Sequence, residues 1–460
     1  MADEQPPGNS IPPAYNEITD NPALNLDASG VNSLNGVNLV DGVSFVPMAP
    51  PLPDMNGFAP MPDLPFIDMP IPTNGADPSM FGTAPQQAMS NDEIALYDRQ
   101  IRILGFQVQE RLRSANVLLI GLRALGTEIA KNLVLAGVGT LTILDGDAVT
   151  EEDLGSQFFL TPEKVGMNRA EAALPEVQKL NPRVELYSDP NPAVVKDPMY
   201  FQSFDITIAT DQLMDILISV NMSCRMFNRK FYAANTYGVY GFVFADLILH
   251  EYIVEKPRSN KPAKVGDMDS STNCVTGIMS KKENDTTIDI ITHQETYSPL
   301  QLVNLSPLSA KIRNTRRSRM RVTPLLSCLR ALFDFQTQAN GRYPGHNPAD
   351  LGAFTKLVNE KHLELELPSE TLRGDFVRSF LQNLGSELSP VAAFLGGFLA
   401  QDVINVLGQK EPPLQNLLLF DGEEFTASPF SIHPINDDAM TMMNTDGLPT
   451  VPMDASIPVA

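Results

Sequence analysis

The residues best placed to do chemistry lie in one short stretch. The apolar run Val117-Leu-Leu-Ile120 ends in Gly121-Leu122-Arg123-Ala124-Leu125-Gly126, and Asp145 closes a second run, Leu141-Thr-Ile-Leu144. A G-x-G-x-x-G turn binds a dinucleotide because its second glycine lets backbone approach a pyrophosphate, and a following acid holds the ribose. Here the second glycine position is Arg123. Its side chain takes space that a pyrophosphate needs, although it also offers a phosphate contact. Gly121, Gly126 and Asp145 thus keep the outline of a nucleotide site, and their first role is to preserve a strand–turn–helix unit. The fold signal is strong, the nucleotide signal weak. This argues against an NAD-dependent dehydrogenase.

Other chemistries find less support. Three scattered cysteines (Cys224, Cys274, Cys328) make neither a disulfide framework nor a Cys-x-x-Cys zinc knuckle. Cys224 lies on an amphipathic helical pattern and reads as core. The five histidines are isolated in sequence. A soluble protein of a reducing compartment is expected.

The net charge of −22 is unevenly spread. No Lys or Arg precedes Arg99, and that stretch holds 13 acids; four more acids and no base follow Pro434. Those 17 charges leave −5 for the middle of the chain. No basic face is apparent, so a nucleic-acid partner is not expected. The N-terminus lacks the charged and apolar regions of a signal peptide. No apolar run approaches the roughly 20 residues that span a bilayer, so no membrane partner is expected.

The elements that must position the turn follow from periodicity. Residues 1–88, rich in Pro and Asn and without bases, read as a disordered extension; scattered Met, Phe and Leu are candidate anchors for a partner. Ser90-Asn-Asp-Glu93 predicts a capping box and a helix start. Strand, glycine turn, helix to Gly137 and strand 141–144 form a βαβ unit. Helix 164–180, strand 206–210, helix 213–228 and strands at 230–234 and 240–247 continue the alternation, which predicts a doubly wound α/β fold with a parallel sheet. From about 255 to 297 no hydrophobic period survives, and a mobile insertion is expected. Helical patterns follow at 305–336 and 370–384. The run Arg313 to Arg321 reads as a solvated helix face, with a nuclear localisation patch as the alternative. Pro390 opens a helix over 391–407, where Gly396-Gly397 would allow close packing. Asn416 to Asp421 is the last expected strand. The main domain is thus 89–435, with a loose acidic tail at 436–460.

A resemblance covers roughly residues 90 to 430. Tyr97-Asp-Arg-Gln-Ile-Arg102, Gly126-Thr-Glu-Ile-Ala-Lys-Asn-Leu133, Asp145-Gly-Asp147, Gln157-Phe158, Val165-Gly-Met-Asn-Arg-Ala170, Tyr237-Gly-Val-Tyr-Gly-Phe242 and Leu395-Gly-Gly-Phe-Leu-Ala-Gln401 resemble, in this order, the ThiF-like adenylation domains of ubiquitin-like-modifier activating enzymes. Glu411-Pro-Pro-Leu-Gln-Asn416 and Gly241-Phe-Val-Phe-Ala-Asp-Leu247 resemble the smaller, non-cysteine subunits that serve SUMO; their Nedd-type counterparts are the nearest alternative.

The resemblance implies a Rossmann-like domain paired with a larger subunit that carries ATP and Mg2+, a structural zinc and the thioester cysteine. The family's Asn-x-x-Arg element is replaced by Asp153-Leu-Gly-Ser156, its lysine by Arg169, and its Leu-Asp-Asn by Thr210-Asp211-Gln212. These departures imply a pseudo-active half with no zinc of its own, inactive alone. Its family role falls on Arg99, an arginine that reaches into the partner's ATP site. By spacing alone Arg99 reads as a helix residue paired with Asp98 or a neighbouring acid. Arg102 ranks below it as support for the same helix. A scaffold with an idle Arg99 and a self-sufficient homodimeric adenylyltransferase are the rival readings. The family also implies a nucleus-enriched location, with the cytoplasm as a second.

Overall fold

A computed structural model describes residues 89–434, apart from 284 and 285. The extension expected at 1–88 and the tail at 436–460 lie outside the described residues.

Eleven strands form two sheets among these residues. The large one is built from β1 (Asn116–Ile120), β2 (Thr140–Leu144), β3 (Glu185–Asp189), β4 (Ile206–Thr210), β5 (Lys230–Tyr237), β6 (Tyr240–Asp246), β10 (Leu417–Asp421) and β11 (Thr426–Phe430); the small one from β7 (Leu249–Pro257), β8 (Asn273–Glu283) and β9 (Thr286–Thr296). The helices are α1 (Asn91–Leu96), α2 (Asp98–Leu104), α3 (Phe106–Ser114), α4 (Ala124–Ala136), α5 (Arg169–Leu180), α6 (Met214–Met226), α7 (Leu300–Leu305), α8 (Ala310–Arg313), α9 (Arg316–Arg319), α10 (Leu325–Gln338), α11 (Pro348–Glu364), α12 (Gly374–Asn383) and α13 (Ser389–Gly408).

The large sheet runs β11-β10-β6-β5-β4-β1-β2-β3. Strands β5-β4-β1-β2-β3 are parallel, whereas β6, β10 and β11 join antiparallel. The sheet is therefore mixed, with the expected doubly wound part at one end. Its central strands are mostly apolar and largely buried, as βαβ crossovers require: β4, Ile-Thr-Ile-Ala-Thr, is buried at all five positions. The edges escaped the periodicity search for local reasons. Strand β3 (Glu-Leu-Tyr-Ser-Asp) is polar and half exposed, and β11 carries Pro429, a residue confined to edge strands.

The helix starts follow local chemistry. The Ser90 hydroxyl accepts from the Glu93 amide, and the Glu93 carboxylate accepts from the Ser90 amide, which completes the capping box. Helix α4 stops at Gly137, whose φ of +81° provides the left-handed cap. Gly396 on α13 lies so close to the Glu128 Cβ of α4 that a Cβ of its own would collide with it, whereas Gly397 faces open space. Helix α13 is long and apolar enough to cross a bilayer, contrary to the expectation that no such stretch exists. It packs in the core against α3, α4 and β6, and its buried Asp402 accepts from the Tyr232 hydroxyl at 2.7 Å.

The expected mobile insertion at 255–297 is corrected: most of it builds the small antiparallel sheet. The inward face of β9 is Asp289, Ile291, His293 and Glu295. A search for apolar alternation fails there because three of the four buried positions are polar. Of the Arg313–Arg321 run, Arg313 ends α8, Arg316, Arg317 and Arg319 lie on α9, and Arg321 follows in a turn; Arg316 grips Glu370 with two 3.0 Å bonds.

Gly121 and Gly166 share a φ near +85° but not their surroundings: a Cβ on Gly121 would collide with the Thr210 carbonyl, and one on Gly166 would meet nothing. Gly166→Ala should cost the left-handed strain alone, about 1–2 kcal/mol. Gly121→Ala should cost several kcal/mol more by urea unfolding. Equal losses would deny the close β1–β4 approach.

Candidate functional site

In a doubly wound sheet, ligands bind beyond the carboxyl ends of the strands where the order reverses. Here that point lies between β1 and β4, since β2 and β3 lie to one side and β5 to the other. Three sequence-singled residues meet there. Gly121 leaves β1, and the Thr210 hydroxyl at the end of β4 donates to the carbonyls of Ile120 (3.1 Å) and Gly121 (3.0 Å). A Cβ on Gly126 would collide with the Gly121 carbonyl. Both glycines thus hold the turn against the neighbouring strand.

Asp145 ends β2 in the same crevice, but its carboxylate is taken. Oδ1 accepts from the Asp147 amide (3.0 Å) and Arg169 Nη1 (3.0 Å); Oδ2 accepts from the Leu122 amide and Arg169 Nη1, both at 2.8 Å. A carboxylate offers about four acceptor directions, so all are filled. A ribose hydroxyl would have to displace one of these donors to bond Asp145.

Arg169 is placed by the start of α5, where the Asn168 side chain caps the helix by accepting from the Glu171 amide (3.1 Å). Its guanidinium also reaches Asp153 (3.3 Å) and the exposed Asp147 (3.5 Å), while Arg169, Asp145 and Asp153 are at most 5% exposed in their side chains. Asp153 accepts in addition from the Thr150 amide and hydroxyl. Burial works against the Arg169 charge, but Asp145, Asp153 and Asp147 hold its pKa above the ordinary value. Sequence singled out Arg169 as a replacement and could not show that it joins Asp145 to Asp153.

The opposite wall is also built from the replaced positions. Ser156 donates to Glu387 (2.8 Å), and Arg123 approaches the same carboxylate at 3.9 Å. Glu387, just ahead of α13, was missed because nothing in its local sequence marks it. Asp211 takes a left-handed conformation, φ +57°, and its Oδ2 is sealed from solvent without a hydrogen-bond partner. Burial pushes its carboxyl up to about 7; Glu387 and Asp145 add to this, and Arg123 and Arg169 oppose it.

Arg99 stands apart from the crevice, on α2. The inner side of that helical region is anchored: the Tyr97 hydroxyl accepts from Asn181 (2.7 Å), and Gln100 donates to the Leu135 carbonyl (3.0 Å). Arg99 faces solvent. Asp98, its nearest acid in sequence, pairs instead with Arg102 at 2.8 Å. Arg99 has no ion pair or hydrogen bond among the described residues. Ile103, one turn on, is 78% exposed, and Leu96, one turn back, 58%.

Two measurements test this geometry. Arg169→Ala strands two buried carboxylates, and breaking such a network costs about 3–5 kcal/mol; Arg169→Lys should recover part of it in chemical denaturation. Asp211, with a folded pKa raised to about 7, releases its proton at higher pH in the fold than in the unfolded chain. Its ionisation therefore removes stability as pH rises from about 4 to 7. Asp211→Asn, which tolerates the same backbone, should melt increasingly above the parent over that range. A pH-independent difference would contradict the raised pKa.

Comparison with known proteins agrees with this architecture. The ThiF family matches residues 97–440. The chain is 40% identical over 338 residues to DNA damage tolerance protein RHC31 of Saccharomyces cerevisiae, covering 73% of this chain and 96% of that protein. It is 35% identical over 345 residues to SUMO-activating enzyme subunit 1 of Rattus norvegicus, and 34% identical over 336 residues to that of Homo sapiens, covering 73% of this chain and 93% of each relative. With its switch-point crevice, its antiparallel extension and these relatives, the chain belongs to the ThiF family and is similar within it to subunit 1 of SUMO-activating enzymes.

Proposed function

We propose that this chain is the smaller subunit of a heterodimeric SUMO-activating enzyme, which completes its partner's ATP site and is inactive alone. The single observation that carries the proposal is Arg99. It is an exposed arginine with no acid of its own, set on an anchored helix between two exposed apolar residues. An isolated surface arginine has no need of Leu96 and Ile103 beside it. A docked partner would cover both and take up the free guanidinium.

The chemistry fits that placement. Adenylation of the SUMO C-terminus joins its carboxylate to the α-phosphate of ATP and drives negative charge onto the departing pyrophosphate. A guanidinium supplied in trans neutralises that charge with paired donors suited to phosphate oxygens. The larger subunit would hold ATP and Mg2+, the structural zinc and the cysteine that receives SUMO as a thioester. The filled acceptor set of Asp145 supports the complementary half of the reading, that this chain's own crevice is a vestige. Nuclear location belongs to the same proposal, by family.

Thioester formation with SUMO, ATP and the larger SUMO-type subunit is the test, with and without this chain. Charging should require the chain. Arg99→Ala should slow it by about 10³, the scale of arginine fingers in related phosphoryl chemistry, while gel filtration still shows the heterodimer. An unaltered rate would make the chain a scaffold with an idle Arg99. Charging of the Nedd-type modifier instead of SUMO would reassign the pathway.

A further inference from the structure

Arg99 is the cation that the first helices leave over. On α2 and α3, Arg102 holds Asp98 at 2.8 Å, Arg111 donates to the Gly408 carbonyl at 2.6 Å, and Arg113 pairs with Glu93 at 3.3 Å. Arg99 meets no such partner among the described residues, and it is exposed. Exposed apolar side chains lie near it in the chain: Leu96 at the end of α1, Ile103 one turn on along α2, and Phe106 at the start of α3. The Tyr97 and Gln100 bonds fix the inner side of this segment. Outward, it therefore offers a positioned cation beside exposed hydrocarbon.

Complementary chain lies close by. The fold takes up the polypeptide at Met89, whose side chain is buried, and the Ser90–Glu93 capping box fixes the entry. Ten residues of helix rise about 15 Å, so Arg99 lies within that distance of the entry point. Residues 1–88 hold ten acids and no Lys or Arg, and they precede the family match, which begins at residue 97. Within them, Asp63-Leu-Pro-Phe-Ile-Asp68 brackets an aromatic and two aliphatic side chains between two carboxylates more closely than any other stretch. From Asp68 to Met89 is 21 residues. A coil of that length spans about 25 Å, enough to bring the stretch over α2. Tethering at such a length gives an effective concentration of millimolar order, so a contact too weak to form between separate molecules is populated within one.

We propose that in the free subunit Asp63–Asp68 lies over the outward side of α2, with its carboxylates on Arg99 and its apolar side chains against Ile103 and Leu96, and that the larger subunit displaces it on assembly. Carboxylate–guanidinium pairs are charge-assisted and orienting. Both groups are at the surface, so salt screens their attraction. A tethered competitor lowers the partner's apparent affinity in proportion to the fraction of chains whose face it covers. The displacement rests on the function proposed above; the contact within the free chain does not.

The test uses the full chain with Phe66 replaced by photo-reactive p-benzoylphenylalanine, irradiated at low concentration, with adducts located by peptide mass spectrometry. Adducts within one molecule should fall on residues 96–106. Asp63→Asn with Asp68→Asn should lower their yield about threefold, as should ~1 M salt. Asp20→Asn with Asp27→Asn removes the same charge farther along the chain and should leave the yield unchanged. Saturation with the larger SUMO-type subunit should abolish the adducts, and the Asp63/Asp68 variant should bind that subunit about threefold more tightly. The proposal is overturned if the adducts fail to form, fall elsewhere in the fold, or join two copies. It is equally overturned if both charge changes act alike, or if the adducts persist in the assembled heterodimer. Should no heterodimer form, the function proposed above fails, while the adduct pattern of the free chain still decides the contact.

Discussion

Arg169 lies between Asp145 and Asp153 at the carboxyl edge of the parallel strands, and the rest of the crevice is arranged around that contact. Two buried carboxylates need a buried cation, because the desolvation of each is several kcal/mol unless it is paired and hydrogen-bonded. The start of α5 supplies the cation, the end of β2 one acid, and the loop between them the other. The contact thus ties the βαβ unit to the segment that follows it. It also fills the acceptors on Asp145 that a ribose hydroxyl would otherwise use. Sheet topology brings a ligand to this point in the general case. Here the same topology brings the protein's own side chain.

The outward face of α2 presents a different kind of surface. Tyr97 and Gln100 fix the helical segment from inside, and the Asp98–Arg102 pair takes the acid that would otherwise hold Arg99. What is left is an exposed cation without an ion pair among the described residues, near the exposed apolar Leu96 and Ile103. On α2, residues four apart share a face, so Arg99 and Ile103 are neighbours there, with the exposed Leu96 at the end of α1.

Legibility in the sequence followed the physics of each element. The βαβ unit, the Ser90 capping box, the Gly137 stop and the central strands were readable because local propensity and burial agree there. Strands β3 and β11 were not, since edges are polar or interrupted by proline. The small sheet was read as a mobile insertion because its buried face carries Asp289, His293 and Glu295, which hydrogen-bond rather than alternate with apolar residues. In the site, Gly121, Gly126 and Asp145 were legible as a nucleotide outline, and Arg123 and Arg169 as departures from it. The Arg169–Asp145 contact was not, because only the fold brings those residues together. Glu387 joins Ser156 and Arg123 from a distant part of the chain, and no local pattern announces such a meeting.

The central claim is that one half of the heterodimer binds ATP and this half completes it from outside. Equilibrium dialysis of the complex with the larger SUMO-type subunit counts the sites directly. The account predicts one ATP per heterodimer and none on this chain by itself. Two per heterodimer, or saturable binding by the isolated chain, would contradict it.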